Sequence, residues 1–382
     1  MPINLFLVPP KNGGKRGPDM YYYMPVKVYD ETECVRNHAK EICSLGSKAL
    51  IVTGHTSSFN NGSFDDISAV LKENNVAYEV FSEVEENPST ETVFTAKDRY
   101  KTSGIDFVIG LGGGSPMDAA KAIALVLMHD DYSVEDLYDP AKDSSALPLV
   151  CIPTTCGTGS EVTGISVLTR HDRKTKISMV HKVFADIALI DGKYVSFAPQ
   201  SLIINSSIDA LSHMIESRLN KKADDYVKML TDTGLRMWSS VKDCLLGNRK
   251  CSEDYSLLMR SSAIAGMSIA QCGTSLPHAL SYILTYDLSI PHGRAVAYFL
   301  PGFLAAACEK DRNEILDLTG FAGMADFDSF ILDSIGETDV PGPVLEKTYD
   351  AVRNNPGKMN SSSFPVDDDT LCNIVFKRSL MT

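Results

Sequence analysis

The chain is short of positive charge. Against 49 aspartates and glutamates stand only 36 lysines and arginines in 382 residues, a formal net charge of −13, with a pI near 5.1. That balance excludes the basic surface on which nucleic-acid and anionic-membrane binding depend, so neither partner is expected. No apolar run reaches the length of a transmembrane helix. The opening apolar stretch, residues 1–10, is too short for a signal sequence and has no basic segment before it, so it is not expected to be a secretory leader. Nine cysteines contain no CxxC pair. Scattered and odd in number, they fit a reducing compartment better than a disulfide framework or zinc ribbon. These absences predict a cytoplasmic protein. Internal repeats and low-complexity tracts are missing too.

What remains is an ordinary globular composition, 44% hydrophobic and 22% charged, long enough for two domains and a substantial core. From about residue 20 to 190, short apolar runs at 48–53, 77–81, 105–110, 147–152 and 188–191 alternate with helical stretches such as 64–73 and 91–102. That alternation predicts a parallel sheet with helices on both faces. After Pro199 only helical periodicity follows, at 201–219, 224–246, 253–270, 278–284 and 294–310. The expected fold is therefore an α/β, Rossmann-like domain over 1–195 and an all-α domain over 196–382.

Two loops in the first half suit a phosphate. Ile105–Gly110 runs directly into Leu-Gly-Gly-Gly-Ser-Pro-Met-Asp118. Gly112, Gly113 and Gly114 let the backbone approach a ligand closely. Ser115 is the expected N-cap and Pro116 the first helical residue, and the helix start offers free N–H groups to a pyrophosphate. The loop is neither GxxxxGK[ST] nor GxGxxG, and alone it would serve a tight turn equally well. A second loop, Pro153-Thr-Thr-Cys-Gly-Thr-Gly-Ser-Glu-Val-Thr163, follows another strand. Two such loops on one parallel sheet point to a nucleotide at the strands' carboxyl ends.

The second half holds a candidate metal set. Asp209 and His213 are four residues apart, on one face of a helix. His278 follows a proline, and His292 stands in Pro-His-Gly. One carboxylate and three imidazoles suit Fe2+ or Zn2+ better than Ca2+ or Mg2+. A lone histidine is more often a surface or satisfied core residue, and His38, His129, His171 and His181 are read so.

In this order and spacing these motifs resemble those of the iron-dependent (group III) alcohol dehydrogenases, relatives of glycerol dehydrogenases and dehydroquinate synthases. The resemblance runs from about Tyr21 to about Leu371. It implies the two-part architecture of dehydroquinate synthase, with Asp209, His213, His278 and His292 as metal ligands. It implies a dinucleotide, NAD(H) or NADP(H), held by Gly112, Gly113, Gly114, Ser115 and Asp118 with Thr154, Thr155 and Thr158. The implied substrate is a small alcohol or aldehyde, and the implied assembly a homodimer or higher homo-oligomer.

Three positions qualify the resemblance. Tyr282 stands where many members carry a second histidine after His278, which leaves Tyr282 or a water chain for the proton relay. The tail after Pro301 looks short. Gly54 occupies the place of the aspartate that NAD-preferring members use, so the repulsion of a 2′-phosphate is gone. His55, Thr56, Ser57 and Ser58 could donate to such a phosphate, and the expectation leans to NADP(H). A dehydroquinate-synthase-like lyase would need several cations in the cleft. The segments 276–284 and 288–299 carry only Arg294, which favours a small neutral substrate. A glycerol-dehydrogenase-like enzyme on the same fold and a catalytically silent NAD(P)-binding protein are the remaining alternatives.

Overall fold

The computed structural model describes residues 21–246 and 254–377; the opening stretch 1–10, read above as no leader, lies outside them. The strands are β1 (Lys27–Asp30), β2 (Lys48–Gly54), β3 (Ala77–Val84), β4 (Phe107–Gly112), β5 (Leu149–Pro153), β6 (Val167–Arg170), β7 (Thr175–Ser178) and β8 (Ile187–Ile190). Six of them form one sheet in the order β1-β8-β5-β4-β2-β3, with every pairing parallel.

Successive residues of these strands feed opposite cores, as the two-residue repeat of a strand requires. Leu50, Val52, Val108 and Leu149 pack on one face with the helices Thr90–Tyr100 and Gly114–Met128. Ala49, Ile51, Ile109 and Val150 pack on the other with Ile67, Val70 and Leu71 of the helix Ser63–Glu73. Burial on both faces is why the strands read as continuous apolar runs. Each fully buried side chain of this size contributes roughly 1.5–3 kcal/mol.

From β2 the chain goes outward to β3 and then crosses back to β4 on β2's other side. The carboxyl ends of β2 and β4, at Gly54 and Gly112, thus flank the point where strand order reverses. That is where open parallel sheets bind ligands.

No strand of this sheet follows β8 among the described residues. The helices Gln200–Arg218, Asp225–Leu245, Tyr255–Cys272, Leu276–Leu288 and His292–Ala306 build the second half around one apolar core. Trp238 is fully buried there, its indole N–H donating to the Ser207 carbonyl at 3.0 Å and hydroxyl at 2.9 Å. The helix expected over 294–310 is two helices, His292–Ala306 and Glu309–Thr319, parted by extended backbone at Ala307 and Cys308.

Two further expectations need correction. Ser115 is not the N-cap: the helix begins at Gly114 with Gly113 as its cap, and the Ser115 hydroxyl instead accepts the Asn87 N–H at 3.0 Å. The cysteines are not all thiols either, since Cys244 is disulfide-bonded, while Cys34, Cys43, Cys151, Cys156, Cys272, Cys308 and Cys372 are free. The β6–β7 hairpin was not foreseen. Its strands are only half apolar, and its turn places Lys174 rather than glycine or asparagine at φ 50°.

Candidate active site

The helix Gln200–Arg218 carries Asp209 and His213 on its buried face. His278 lies in the first turn of Leu276–Leu288, and His292 opens His292–Ala306. The Asp209 Oδ1 stands 3.3 Å from His278 Nε2 and 3.8 Å from His292 Nε2. Asp209, His278 and His292 each offer one ligand atom, all within 4.8 Å of one another. Asp209 Oδ1 and His278 Nε2 are buried, face each other at 3.3 Å and have no other hydrogen-bond partner. Buried polar atoms are costly without partners, and a divalent cation between them would satisfy both.

His213 falls outside that tight trio but adjoins it, its ring stacked on His278 with centroids 4.3 Å apart. Its Nδ1 faces the Gly157 carbonyl at 3.3 Å. A carbonyl only accepts, so Nδ1 carries the proton and Nε2 keeps its lone pair, the form a metal needs.

The charges favour a cation at Asp209, His213 and His292, while His278 would have to release a proton to it. Burial alone would raise Asp209, yet His213, His292 and His278 hold its carboxyl well below the usual range. Burial pushes His292 down to about 3 and lowers His213, so both rings are neutral at neutral pH. Burial also pulls on His278, but Glu216 and Asp209 outweigh it and lift the ring to about 9.

Glu216 was not anticipated. Fully buried one turn beyond His213, its Oε1 accepts from His278 Nδ1 at 2.5 Å and from the Ser212 hydroxyl at 2.8 Å. Its Oε2 accepts the Ser275 N–H at 2.7 Å. The carboxylate therefore caps the helix that bears His278 and turns that ring so that Nε2 faces Asp209. The available signal was the spacing Asp209, His213, Glu216, which repeats one helical face at i, i+4 and i+7.

A cavity of about 1200 Å³ joins this cluster to the sheet. Ordinary ligand pockets are roughly 300–1,000 Å³, so there is room for a dinucleotide and a small molecule together. Gly54, Gly113, Gly114, Ser115, Asp118, Thr155 and Thr158 line it, beside Asp209, His213, His278, Tyr282 and His292. Gly112 and Thr154 do not line it. Gly112 lies at φ 143°, where a Cβ would meet Pro116 at 2.8 Å, and its carbonyl accepts the Thr154 N–H at 2.9 Å. These two tie the loops together from behind.

Asp118 is at the wall, with its carboxylate spent on loop structure: it accepts from the Ser160 hydroxyl at 2.6 Å and the Val167 N–H at 2.9 Å. Lys121, fully buried, completes that brace by donating to Ser160 at 2.6 Å and to the Ile165 carbonyl at 2.8 Å. A lysine in a helical stretch carries no sequence mark of such a role.

Tyr282, one turn after His278, lies along His292 with ring centroids 6.3 Å apart. Burial, aided by Glu216 and Asp209, pushes its phenol up to about 12. Lys176, on β7, donates to Asn87 Oδ1 at 2.6 Å, and its ammonium sits 5.9 Å from the centre of the Tyr282 ring. Arg294 turns away, to the Thr338 hydroxyl at 2.8 Å and the Glu337 carbonyl at 2.7 Å. Lys176, Lys221, Lys222 and Lys358 line the cavity instead. The cations of the cleft thus come from segments distant in sequence, and the expected neutral substrate does not follow from Arg294.

Residues 25–192 match the family model described as iron-containing alcohol dehydrogenase, and residues 203–328 match the C-terminal model of the same family. The chain belongs to the iron-containing alcohol dehydrogenase family. It is 28% identical to an NADPH-dependent butanol dehydrogenase of Clostridium saccharobutylicum over 67% of this chain and 66% of that one. With the NADH-dependent butanol dehydrogenase A of Clostridium acetobutylicum it shares 29% identity over 76% of each. Among solved structures, an iron-containing alcohol dehydrogenase from Thermotoga maritima superposes with a TM-score of 0.86 at 35% identity, covering 94% of this chain and 99% of that one.

Proposed function

We propose that the protein is a metal-dependent alcohol dehydrogenase, or aldehyde reductase, that transfers hydride between NAD(P)(H) and a small alcohol or aldehyde. The observation that carries this reading is the cluster of ligand atoms from Asp209, His278 and His292, all within 4.8 Å of one another, in one cavity with the glycine loop. Asp209, His213, His278 and His292 would hold the divalent ion. Gly113, Gly114, Ser115, Thr155 and Thr158 would hold the dinucleotide, with Gly112, Thr154 and Asp118 shaping their loops and Gly54 at the adenosine end. Bound there, the ion supplies Lewis-acid polarisation of the substrate oxygen and the nicotinamide supplies or accepts hydride.

The chain's own part is positional. The His278 ring is fixed by Glu216, and His213 by the Gly157 carbonyl. Tyr282 keeps its proton at all ordinary pH values, so it serves as a hydrogen-bond donor to the substrate oxygen rather than as a base. The cleft between sheet and helices would keep both reactants against each other and away from water.

The donor set supports iron first and zinc second, since both accept imidazole and carboxylate. Gly54 supports NADP(H) over NAD(H), because position 54 itself brings no carboxylate to repel a 2′-phosphate. The division into a domain over 1–195 and one over 196–382 follows the end of the sheet at Ile190. The acidic composition and the seven free thiols support a cytoplasmic setting, against which the disulfide at Cys244 stands; among the described residues no helix is long and apolar enough to cross a membrane. A homodimer is part of the reading, checked by sedimentation.

Replacing His278 or His292 by alanine tests the site. Metal content and aldehyde-dependent NAD(P)H oxidation should fall together to background. A variant with full turnover and no metal would refute the assignment.

A further inference from the structure

In a chain with 13 excess negative charges, one wall of the cleft is cationic. It is built from two segments stitched together: Lys221 N–H donates to the Ser361 carbonyl at 2.9 Å, and Ser363 N–H to the Leu219 carbonyl at 2.6 Å. One segment follows the helix bearing Asp209 and His213. The other contains the short helix Pro356–Met359, which packs on Leu276–Leu288, the helix bearing His278. The wall therefore borders the metal cluster. Asn355 Oδ1 accepts the Lys358 N–H at 3.2 Å and sets that turn.

Lys358 lines the cavity, half-buried, with Asn360, Ser361, Lys221 and Lys222 beside it. Its ammonium makes no hydrogen bond or ion pair within the described residues. From the helical half, the one carboxylate lining the cavity is Asp209, already committed to the ligand cluster. Glu85, Glu86 and Asp118 belong to the sheet side. A partly desolvated cation is unfavourable without a partner of its own: burial lowers the Lys358 pKa, and the Glu216 carboxylate that offsets this is already bonded to His278, Ser212 and Ser275. An anionic ligand would remove that cost. It would also explain why lysines gather where the net charge of the protein repels anions at long range.

We propose that the substrate carries an anionic group, a carboxylate, sulfonate or phosphonate, a few bonds from its carbonyl, and that Lys358 binds that group with Asn360 and Ser361. This rests on the dehydrogenase reading of the same cleft. In the reductive direction the carbonyl carbon takes hydride from the reduced nicotinamide and its oxygen takes a proton from solvent. The products are the hydroxy acid and oxidised nicotinamide, with the anionic group unchanged. Lys221 and Lys222, both exposed, would draw the anion to the mouth.

The test compares kcat/KM of the iron-loaded enzyme for succinic semialdehyde and sulfoacetaldehyde with that for butanal, in wild type, K358Q and K358R. Wild type should favour the anionic aldehydes by tenfold or more, equivalent to about 1.4 kcal/mol. K358Q should erase most of that ratio and K358R restore it. Calorimetric binding of 4-hydroxybutyrate reads the same contact without turnover and should weaken by a similar factor in K358Q. Equal use of neutral and anionic aldehydes, with a ratio indifferent to K358Q, would overturn the inference and leave the dehydrogenase reading standing. Inorganic phosphate binding lost in K358Q, without any preference among aldehydes, would make the wall a free-anion site and overturn it too. Binding of 4-hydroxybutyrate through Lys358 with no turnover of any aldehyde would instead remove the dehydrogenase reading.

Discussion

Glu216 Oε1 lies 2.5 Å from His278 Nδ1, and this contact decides which face of the imidazole meets Asp209. The carboxylate leaves the ring one orientation, with the Nδ1 proton held and Nε2 aimed at the cluster, where a metal would have to displace the second ring proton. Carboxylate–histidine pairs of this kind commonly set metal affinity by 10–100-fold.

Glu216→Ala should therefore weaken metal binding by roughly 10–100-fold, measured by competition with a coloured chelator. Glu216→Gln, which can still accept from Nδ1, should recover part of the loss. Unchanged affinity in both variants, with only a lower melting temperature, would reduce Glu216 to a helix cap.

Gly293 has a geometric reason to follow His292. A Cβ there would clash with the backbone oxygen of Asn205 on the helix that bears Asp209 and His213. Gly293→Ala should force the two helices apart, costing roughly 1–3 kcal/mol or more of stability and loosening metal retention with it. Denaturant unfolding read beside metal content checks both; a wild-type midpoint would contradict the close approach.

Gly54 ends β2 at the cavity, and a Cβ there would stand 3.5 Å from the Val84 carbonyl, an ordinary contact. An aspartate fits, and Gly54→Asp should turn preference from NADPH to NADH. The ratio of specificity constants should fall by about tenfold or more, about 1.4 kcal/mol. If wild type already prefers NADH, the NADP(H) lean is wrong.

Glu161 gives a pH signature. Burial raises its carboxyl from 4.5 to about 7. The folded state thus holds a proton that the unfolded chain releases above about 4.5. Stability should be greatest below that value and fall as pH rises towards 7, by roughly 3 kcal/mol at most. In Glu161→Gln that part of the slope should vanish. Parallel stability curves for both proteins between pH 4.5 and 7 would refute the shift.

The parts of this molecule that the sequence made legible are those whose physics is local. Buried parallel strands are continuous apolar runs, so β2, β4 and β5 could be placed within two residues. Asp209 and His213 share a helix face by spacing alone. What stayed hidden depends on distant partners. Glu216 looks like any glutamate on a helix until the fold brings His278 to it. Lys121 looks like a solvated lysine until a loop closes over it, and Lys358 until its short helix is set at the wall of the cavity. The β6–β7 hairpin has no glycine at its turn, and Ser115 lost the cap position because the glycine backbone enters the helix two residues early.

The central claim is that Asp209 and the three histidines hold a metal required for hydride transfer. The direct test is anaerobic purification with metal analysis, followed by NADPH and NADH oxidation with short-chain aldehydes before and after reconstitution with Fe2+. One equivalent of metal per chain and turnover that appears only on reconstitution is the predicted result. Equal turnover by the fully metal-free protein would contradict it.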